Sequence, residues 1–211
     1  MFQDIKKIEQ TYNLIAKEYS DSFLGEHDKK PKDQEILHRF ATEIRTTTPV
    51  WDLGCGPGQT TKYLNDLGIK ISGLDISEKI IEQAKLNYPN INFRKGNILE
   101  LDFENNSIAA IVAFYAIVHF SKEQVEIFFS EIFRVLQLRG RFLFTYHIGN
   151  ETIHIKEFLG KKADINFSFF NSDFINRSLT RAGFAKIEII EREPYNKVEY
   201  ESRRAYVFAT K

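Results

Sequence analysis

Three glycines at alternate positions, Gly54, Gly56 and Gly58, follow a short apolar run that carries Asp52. Residues 50 to 59 read V-W-D-L-G-C-G-P-G-Q, with Cys55 between the first two glycines. Glycine lacks Cβ, so such a loop turns tightly and lets a ligand lie against bare backbone. A helix that follows it aims its free N–H groups and positive dipole end at that ligand. Asp75 closes the next apolar run. A carboxylate at the end of a neighbouring strand can accept hydrogen bonds from both hydroxyls of a ribose. These residue types in this order ask for a nucleoside-containing cofactor.

The elements that must position these residues follow from periodicity. Ile5, Ile8, Tyr12, Ile15 and Tyr19 share one face of a helix over residues 3 to 19. Residues 20 to 32, polar with Gly25 and Pro31, read as a loop, and a second helix follows over about 33 to 44. Thr46-Thr47-Thr48-Pro49 breaks the pattern. Strands are then expected at 50–53, 69–74, 91–94, 108–114 and 141–146, with helices at 59–67, 78–87 and from Ser121 to Gly140. Ser77 suits an N-cap, and Ser121-Lys122-Glu123-Gln124 is a capping-box pattern. Residues 108 to 114 are apolar throughout, as in a strand buried on both faces of a parallel sheet. A helix over 172–182, stopped by Gly183, and strands over 184–191 and 205–210 complete the chain. Residues 147 to 171 show no clear period. Alternating strands and helices predict an α/β sheet with helices on both faces and a ligand cleft at the carboxyl ends of the strands. The glycine loop, Asp75, Asn97, the turn from Phe114 to His119, and His147 all follow strand ends and are expected in one cleft.

Composition narrows the alternatives. The 211 residues suit one compact domain, with 29 Lys+Arg balancing 29 Asp+Glu. The basic excess of a nucleic-acid binder is absent from the chain as a whole. One cysteine permits no internal disulfide and fits a reducing compartment. The N-terminus lacks the apolar core of a signal peptide, and the longest apolar run, Ile108 to Val118, is too short for the roughly 20 residues that span a bilayer. A cytoplasmic protein, monomer or homodimer, is expected, with no membrane association.

A dinucleotide fingerprint would read G-x-G-x-x-G, whereas this loop is G-x-G-x-G preceded by Asp52. D-L-G-C-G-P-G resembles the first motif of the class I S-adenosylmethionine-dependent methyltransferases, and the resemblance extends over most of the chain. I-S-G-L-D-I-S is similar to that family's second motif, which implies Asp75 on the ribose and Ile76 against adenine. Lys95-Gly96-Asn97-Ile98 resembles the adenine-edge segment, and Ala113 to His119, including Phe114, the segment beside the sulfonium. E-I-F-R-V-L-Q-L-R-G-R-F-L-F is similar to a later motif, except that Leu138-Arg139 stands where the family has Pro-Gly. Y-N-L-I-A-K-E-Y-S resembles a lid helix whose tyrosines, Tyr19 among them, approach the cofactor. The resemblance implies a Rossmann-like methyltransferase fold, seven strands, mostly parallel, with a last antiparallel strand. It also implies one domain over 1–211, lid helices over about 1–45 and a substrate-covering insertion over about 147–171.

S-adenosylmethionine is the cofactor implied, held by Tyr19, Asp52, Gly54, Cys55, Gly56, Gly58, Asp75, Ile76, Asn97, Ile98 and Phe114. The acceptor is then a small molecule methylated on oxygen, nitrogen or a carboxylate. A sulfonium donor needs mainly alignment, and a base only where the acceptor is protonated. His119 and His147 are the candidates for a polar group beside the acceptor, since an imidazole titrates near pH 6.5. For His119 a structural role, orienting the lid or capping the next helix, is an equal alternative. His119, His147, His154 and Glu157 lack the tight spacing of a metal site, so no metal is expected. Tyr115 can position a substrate or pack in the core. Phe158, Phe167, Phe169 and Phe170 can cover the substrate or pin the insertion to the sheet. The Arg203-Arg204 pair can grip an anion or pair with Glu199 or Glu201. Three other readings compete. A nucleic-acid methyltransferase lacks support from Ala113-Phe114-Tyr115-Ala116, which is no N/D/S-P-P-Y/F motif. A non-catalytic S-adenosylmethionine-binding protein would keep the same loop, and an oxidoreductase is disfavoured by the glycine spacing.

Overall fold

The computed structural model describes residues 4–44 and 48–211. The outer ends of the expected lid segment, residues 1–3 and 45, and the break at Thr46-Thr47 lie outside them. A seven-stranded sheet organises the rest, in the order β3-β2-β1-β4-β5-β9-β8. Its strands are β1 (Val50–Leu53), β2 (Ile71–Asp75), β3 (Phe93–Lys95), β4 (Ile108–Ala113), β5 (Leu136–His147), β8 (Ala185–Arg192) and β9 (Arg204–Thr210). The first five pair in parallel, and β9 runs antiparallel between β5 and β8. The sheet is therefore the mostly parallel, Rossmann-like one expected, with chain order reversing between β1 and β4. That reversal opens the crevice in which α/β sheets bind ligands.

Helices cover both faces. The helices are α1 (Ile5–Phe23), α2 (Pro31–Ile44), α3 (Gln59–Asp66), α4 (Glu78–Asn87), α5 (Lys122–Val135) and α6 (Ser172–Ala182). On one face, Phe128, Phe129 and Ile132 of α5 and Ile175 and Leu179 of α6 pack on Ile111, Phe142, Phe144 and Val207. On the other, Ile36, Leu37 and Phe40 of α2 and Leu64 of α3 pack on Val50, Val112, Leu143 and Phe208. Each such fully buried side chain stabilises the fold by roughly 1.5–3 kcal/mol. All six residues of β4 are buried, which accounts for its unbroken apolar run. The capping box forms: the Gln124 amide donates to Ser121 Oγ, and the Ser121 amide to Gln124 Oε1.

Four expectations change. Residues 20–32 are not one loop: α1 runs on to Phe23, a 3₁₀ turn covers Glu26–Lys29, and Pro31 opens α2. Proline suits the first turn of a helix, where its missing N–H costs nothing. Gly140 does not end α5, since Leu136 is already extended and begins β5. Arg139 then takes the left-handed conformation, φ +66°, where the related motif has glycine. The stretch from 147 to 171 holds a hairpin, β6 (Thr152–Phe158) and β7 (Lys161–Ser168), separate from the main sheet. Leu159 and Gly160 turn it with φ +50° and +74°, a two-residue connection of the kind that matches strand twist. Finally, β2 and β3 begin two residues later than their apolar runs, at Ile71 and Phe93.

Candidate functional site

At the crevice the chain must turn from β1 into α3 against the turn that leaves β4. Gly54, Gly56 and Gly58 all adopt positive φ, +69°, +55° and +93°. At Gly54 the reason is also contact: a Cβ there would lie 2.7 Å from the Ala116 Cβ. The Gly54 and Cys55 amides donate to the Leu74 carbonyl at 2.7 and 3.0 Å, which ties the loop to β2. Asp75, at the end of β2, accepts from the Gly56 amide at 3.1 Å and the Ser77 amide at 2.9 Å. Burial raises its pKa, and those backbone N–H groups oppose the rise. Ser77 in turn caps α4, accepting from the Ile80 amide.

These groups line one cavity that opens to solvent. Tyr19, Gly54, Gly56, Asp75, Ile76, Asn97, Ile98, Phe114 and His119 are all on its wall. Asp52, Cys55 and Gly58 are not. Asp52 lies beneath the loop, where its carboxylate accepts from Thr61 Oγ1 at 2.6 Å and burial pushes its pKa up to about 7. The Cys55 side chain packs with Ile81, Ala84, Ile91 and Phe93, and burial pushes its thiol up. Gly58 is the N-cap of α3 and fits against Phe93 and Tyr88. These three shape the loop from behind.

Helix α1 crosses the cavity and contributes Ile5, Ile8, Tyr12 and Tyr19 to its wall. It is held on both flanks. Asn13 Oδ1 accepts from Ser77 Oγ and the Lys79 amide of α4, and Ser20 Oγ from Asn87 Nδ2. On the other flank Ile8 packs with Ala163 and Ile165 of the hairpin, and Lys7 pairs with Asp164 at 2.6 Å. His119 joins the two parts. Its Nδ1 lies 2.8 Å from the Asn166 carbonyl, which can only accept, so Nδ1 carries the proton. Its Nε2 then accepts from the Tyr12 hydroxyl at 2.8 Å. Burial pushes its pKa down to about 4, so the ring is neutral near pH 7.

His147 stands apart from this wall. Its ring lies 5.1 Å from that of Tyr115, its Nδ1 is 2.7 Å from Ser202 Oγ, and burial, then Arg204 and Lys30, push its pKa down to about 3. Tyr115 is on the wall, in the left-handed conformation at φ +53°, with its amide donating to Thr145 Oγ1. Behind it lies an ion cluster, of which the sequence suggested only the pairing of Arg204 with Glu199. Lys30 pairs with Glu26 and, at 3.2 Å, with Glu199. Arg192 pairs with Glu199 and, at 3.4 Å, with Asp33, while Arg204 lies 3.1 Å from Glu199. Tyr206 donates to Asp33 and accepts from Arg192 Nε. Arg203 and Arg204 diverge: Arg203 pairs outside with Glu191 and Glu193, so the two do not form one grip. Of the four phenylalanines, Phe158 and Phe167 pack with the hairpin and α1, Phe170 is in the core, and Phe169 lies 5.5 Å from His147. Among the described residues no group of His, Cys, Asp and Glu could hold a metal, and no helix is long and apolar enough to cross a membrane.

Residues 50–140 match the model of a methyltransferase domain family. A Mycolicibacterium smegmatis protein named a probable S-adenosylmethionine-dependent methyltransferase is 34% identical over 110 residues, covering 52% of this chain and 40% of the relative. The matches span between 40% and 60% of the first relatives' own length. Magnesium protoporphyrin IX methyltransferase of Synechocystis, solved with bound S-adenosylmethionine, superposes with a TM-score of 0.72 at 16% identity, covering 99% of this chain and 97% of that one. The S-adenosylhomocysteine complex of DhpI superposes with the same score at 18% identity, covering 97% and 95%. At such identities the superpositions speak for the fold. The matched stretch carries the glycine loop, Asp75, Asn97 and His119, and over it the chain is similar to methyltransferase domains.

Proposed function

We propose that the chain is an S-adenosylmethionine-dependent methyltransferase acting on a small molecule. The observation that carries this is one cavity in which bare backbone at Gly54 and Gly56 faces a strand-end carboxylate, Asp75, with Ile76, Asn97 and Ile98 beside it. In this reading Asp75 takes the ribose hydroxyls, Ile76 and Ile98 hold the adenine faces and Asn97 meets its edge. Gly54 and Gly56 let the amino-acid end approach the backbone, and Tyr19 and Phe114 border the sulfonium. When bound, the sulfonium supplies an activated methyl group. The chain's part is alignment and exclusion of water. Helix α1 is the lid: it covers the cavity, and access requires it to part from the hairpin or from α4.

His119 positions the lid in this reading, because both its nitrogens are engaged and neither is free as a base. His147 lies behind Tyr115 and orients the acceptor side. The zero net charge favours a small-molecule acceptor over nucleic acid.

Calorimetric titration tests the reading. S-adenosylhomocysteine should bind with a dissociation constant well below millimolar, and NADH should not. Binding of NADH without S-adenosylhomocysteine would contradict it.

A further inference from the structure

We propose that the methyl acceptor is a neutral amine nitrogen on an apolar or aromatic body; this rests on the methyl-donor reading above. On the wall of the cavity stand Tyr12, Tyr19, Phe114, Tyr115, His119 and Phe120. The Tyr12 ring lies 5.2 Å from Tyr19 and 5.4 Å from His119, with Phe167 4.6 Å beyond His119. Among the described residues lining the cavity, Asp75 is the single carboxylate, and there is no lysine or arginine.

That wall sorts the acceptors. An aliphatic hydroxyl needs a base. His119 gives Nδ1–H to Asn166 and accepts Tyr12 on Nε2, so it offers none. Burial pushes the Tyr12, Tyr19 and Tyr115 hydroxyls up, so at neutral pH they are protonated and are no base either. A carboxylate or thiolate needs no base, but it would bring an unpaired negative charge into an aromatic box. The cations beside the Tyr115 ring do not answer it. Lys30 and Arg204 lie 5.7 and 6.0 Å from the centre of the Tyr115 ring, and both are engaged with Glu199.

A neutral amine meets neither obstacle. Its lone pair forms the new N–C bond, the C–S pair returns to sulfur, and the positive charge passes from sulfur to nitrogen. The charge stays among aromatic faces, which stabilise cations. The product ammonium then loses its proton to water.

The test incubates the protein with methyl-labelled S-adenosylmethionine and a small-molecule metabolite extract, and reads the chemistry of the labelled product. The expected product keeps its label in alkali and is retained on a cation exchanger at about pH 3, where alkylamines and arylamines are both protonated. Labelled methanol released by alkali would mark a methyl ester and overturn the proposal. So would an alkali-stable product that is not retained, or the absence of any labelled product from protein that binds S-adenosylhomocysteine. Failure to bind S-adenosylhomocysteine would instead remove the methyl-donor reading itself. A second measurement needs no turnover: the imidazole ¹⁵N spectrum of the S-adenosylhomocysteine complex at pH 7. His119 should be neutral with its proton on Nδ1; an imidazolium, or a proton on Nε2, would restore a free base or change the contacts and overturn the argument.

Discussion

The two sides of the cleft are held by different forces. The side at β1 and β2 is a backbone construction. Gly54 and Cys55 donate to Leu74, Gly56 and Ser77 to Asp75, and Ser77 starts α4. The side at β5 and β9 is a side-chain construction, in which Lys30, Asp33, Arg192, Glu199 and Arg204 come from distant segments and are buried together. A backbone cradle fits one rigid ligand and tolerates little change. A buried ion cluster stabilises only while every member is paired. The contrast teaches where each kind of damage should appear: lost binding on one side, lost stability on the other.

The largest effect tests that division directly. Glu199→Ala leaves Lys30, Arg192 and Arg204 short of a partner and should cost roughly 3–5 kcal/mol, as breaking buried pairs does. Urea denaturation measures it, and S-adenosylhomocysteine affinity should stay within a few-fold. Lost affinity with intact stability would break the comparison. On the other side, Gly54→Ala puts a Cβ against Ala116 in a left-handed backbone. Strain of roughly 1–3 kcal/mol added to the displaced loop should reduce affinity by about a hundredfold or more, read by calorimetry. Asp75→Ala removes charge-assisted hydrogen bonds of roughly 1.5–3 kcal/mol and should weaken affinity about ten- to a hundredfold with the fold retained.

Acid should loosen the side-chain half first. Burial holds His119 and His147 neutral, with pKa values of about 4 and about 3, against roughly 6.5 in the unfolded chain. The unfolded state therefore binds more protons below that value, so stability is full above about pH 6.5 and falls as pH drops toward 4 and 3. Glu199 adds the same sign lower down. Burial opposes its charge, but Arg192, the Tyr195 amide, Arg204 and Lys30 outweigh burial and hold it at about 2. Urea midpoints from pH 7 to pH 4 should fall steadily, and a flat profile would contradict these assignments. The smallest effect lies at the far end of β5. Arg139→Gly relieves a left-handed arginine, φ +66°, and should stabilise by about 1 kcal/mol, raising Tm by roughly 2–4 °C. Cofactor affinity should not move.

The same contrast explains what the sequence revealed. The cradle side is written locally: Gly54, Gly56 and Asp75 sit at strand ends because backbone geometry requires those residue types there. The α5 capping box and the buried run of β4 were legible for the same reason. The other side depends on partners far apart in the chain. Lys30 and Glu199 are 169 positions apart, and nothing near either one signals that they will meet. The hairpin of β6 and β7 hid because its faces are half exposed and its turn, Leu159-Gly160, offers only one usual turn residue. Asp52, Cys55 and Gly58 show the converse limit. A motif names the residues a loop needs, and it does not separate those that touch a ligand from those that support the loop beneath it.

The most direct test of the account is a crystal structure of the chain with S-adenosylhomocysteine bound. It predicts the ribose hydroxyls on Asp75, the adenine between Ile76 and Ile98, and the thioether sulfur facing Tyr12, Tyr19 and Phe114. A ligand seated elsewhere, or one bound with Asp75 turned away from the ribose, would contradict it.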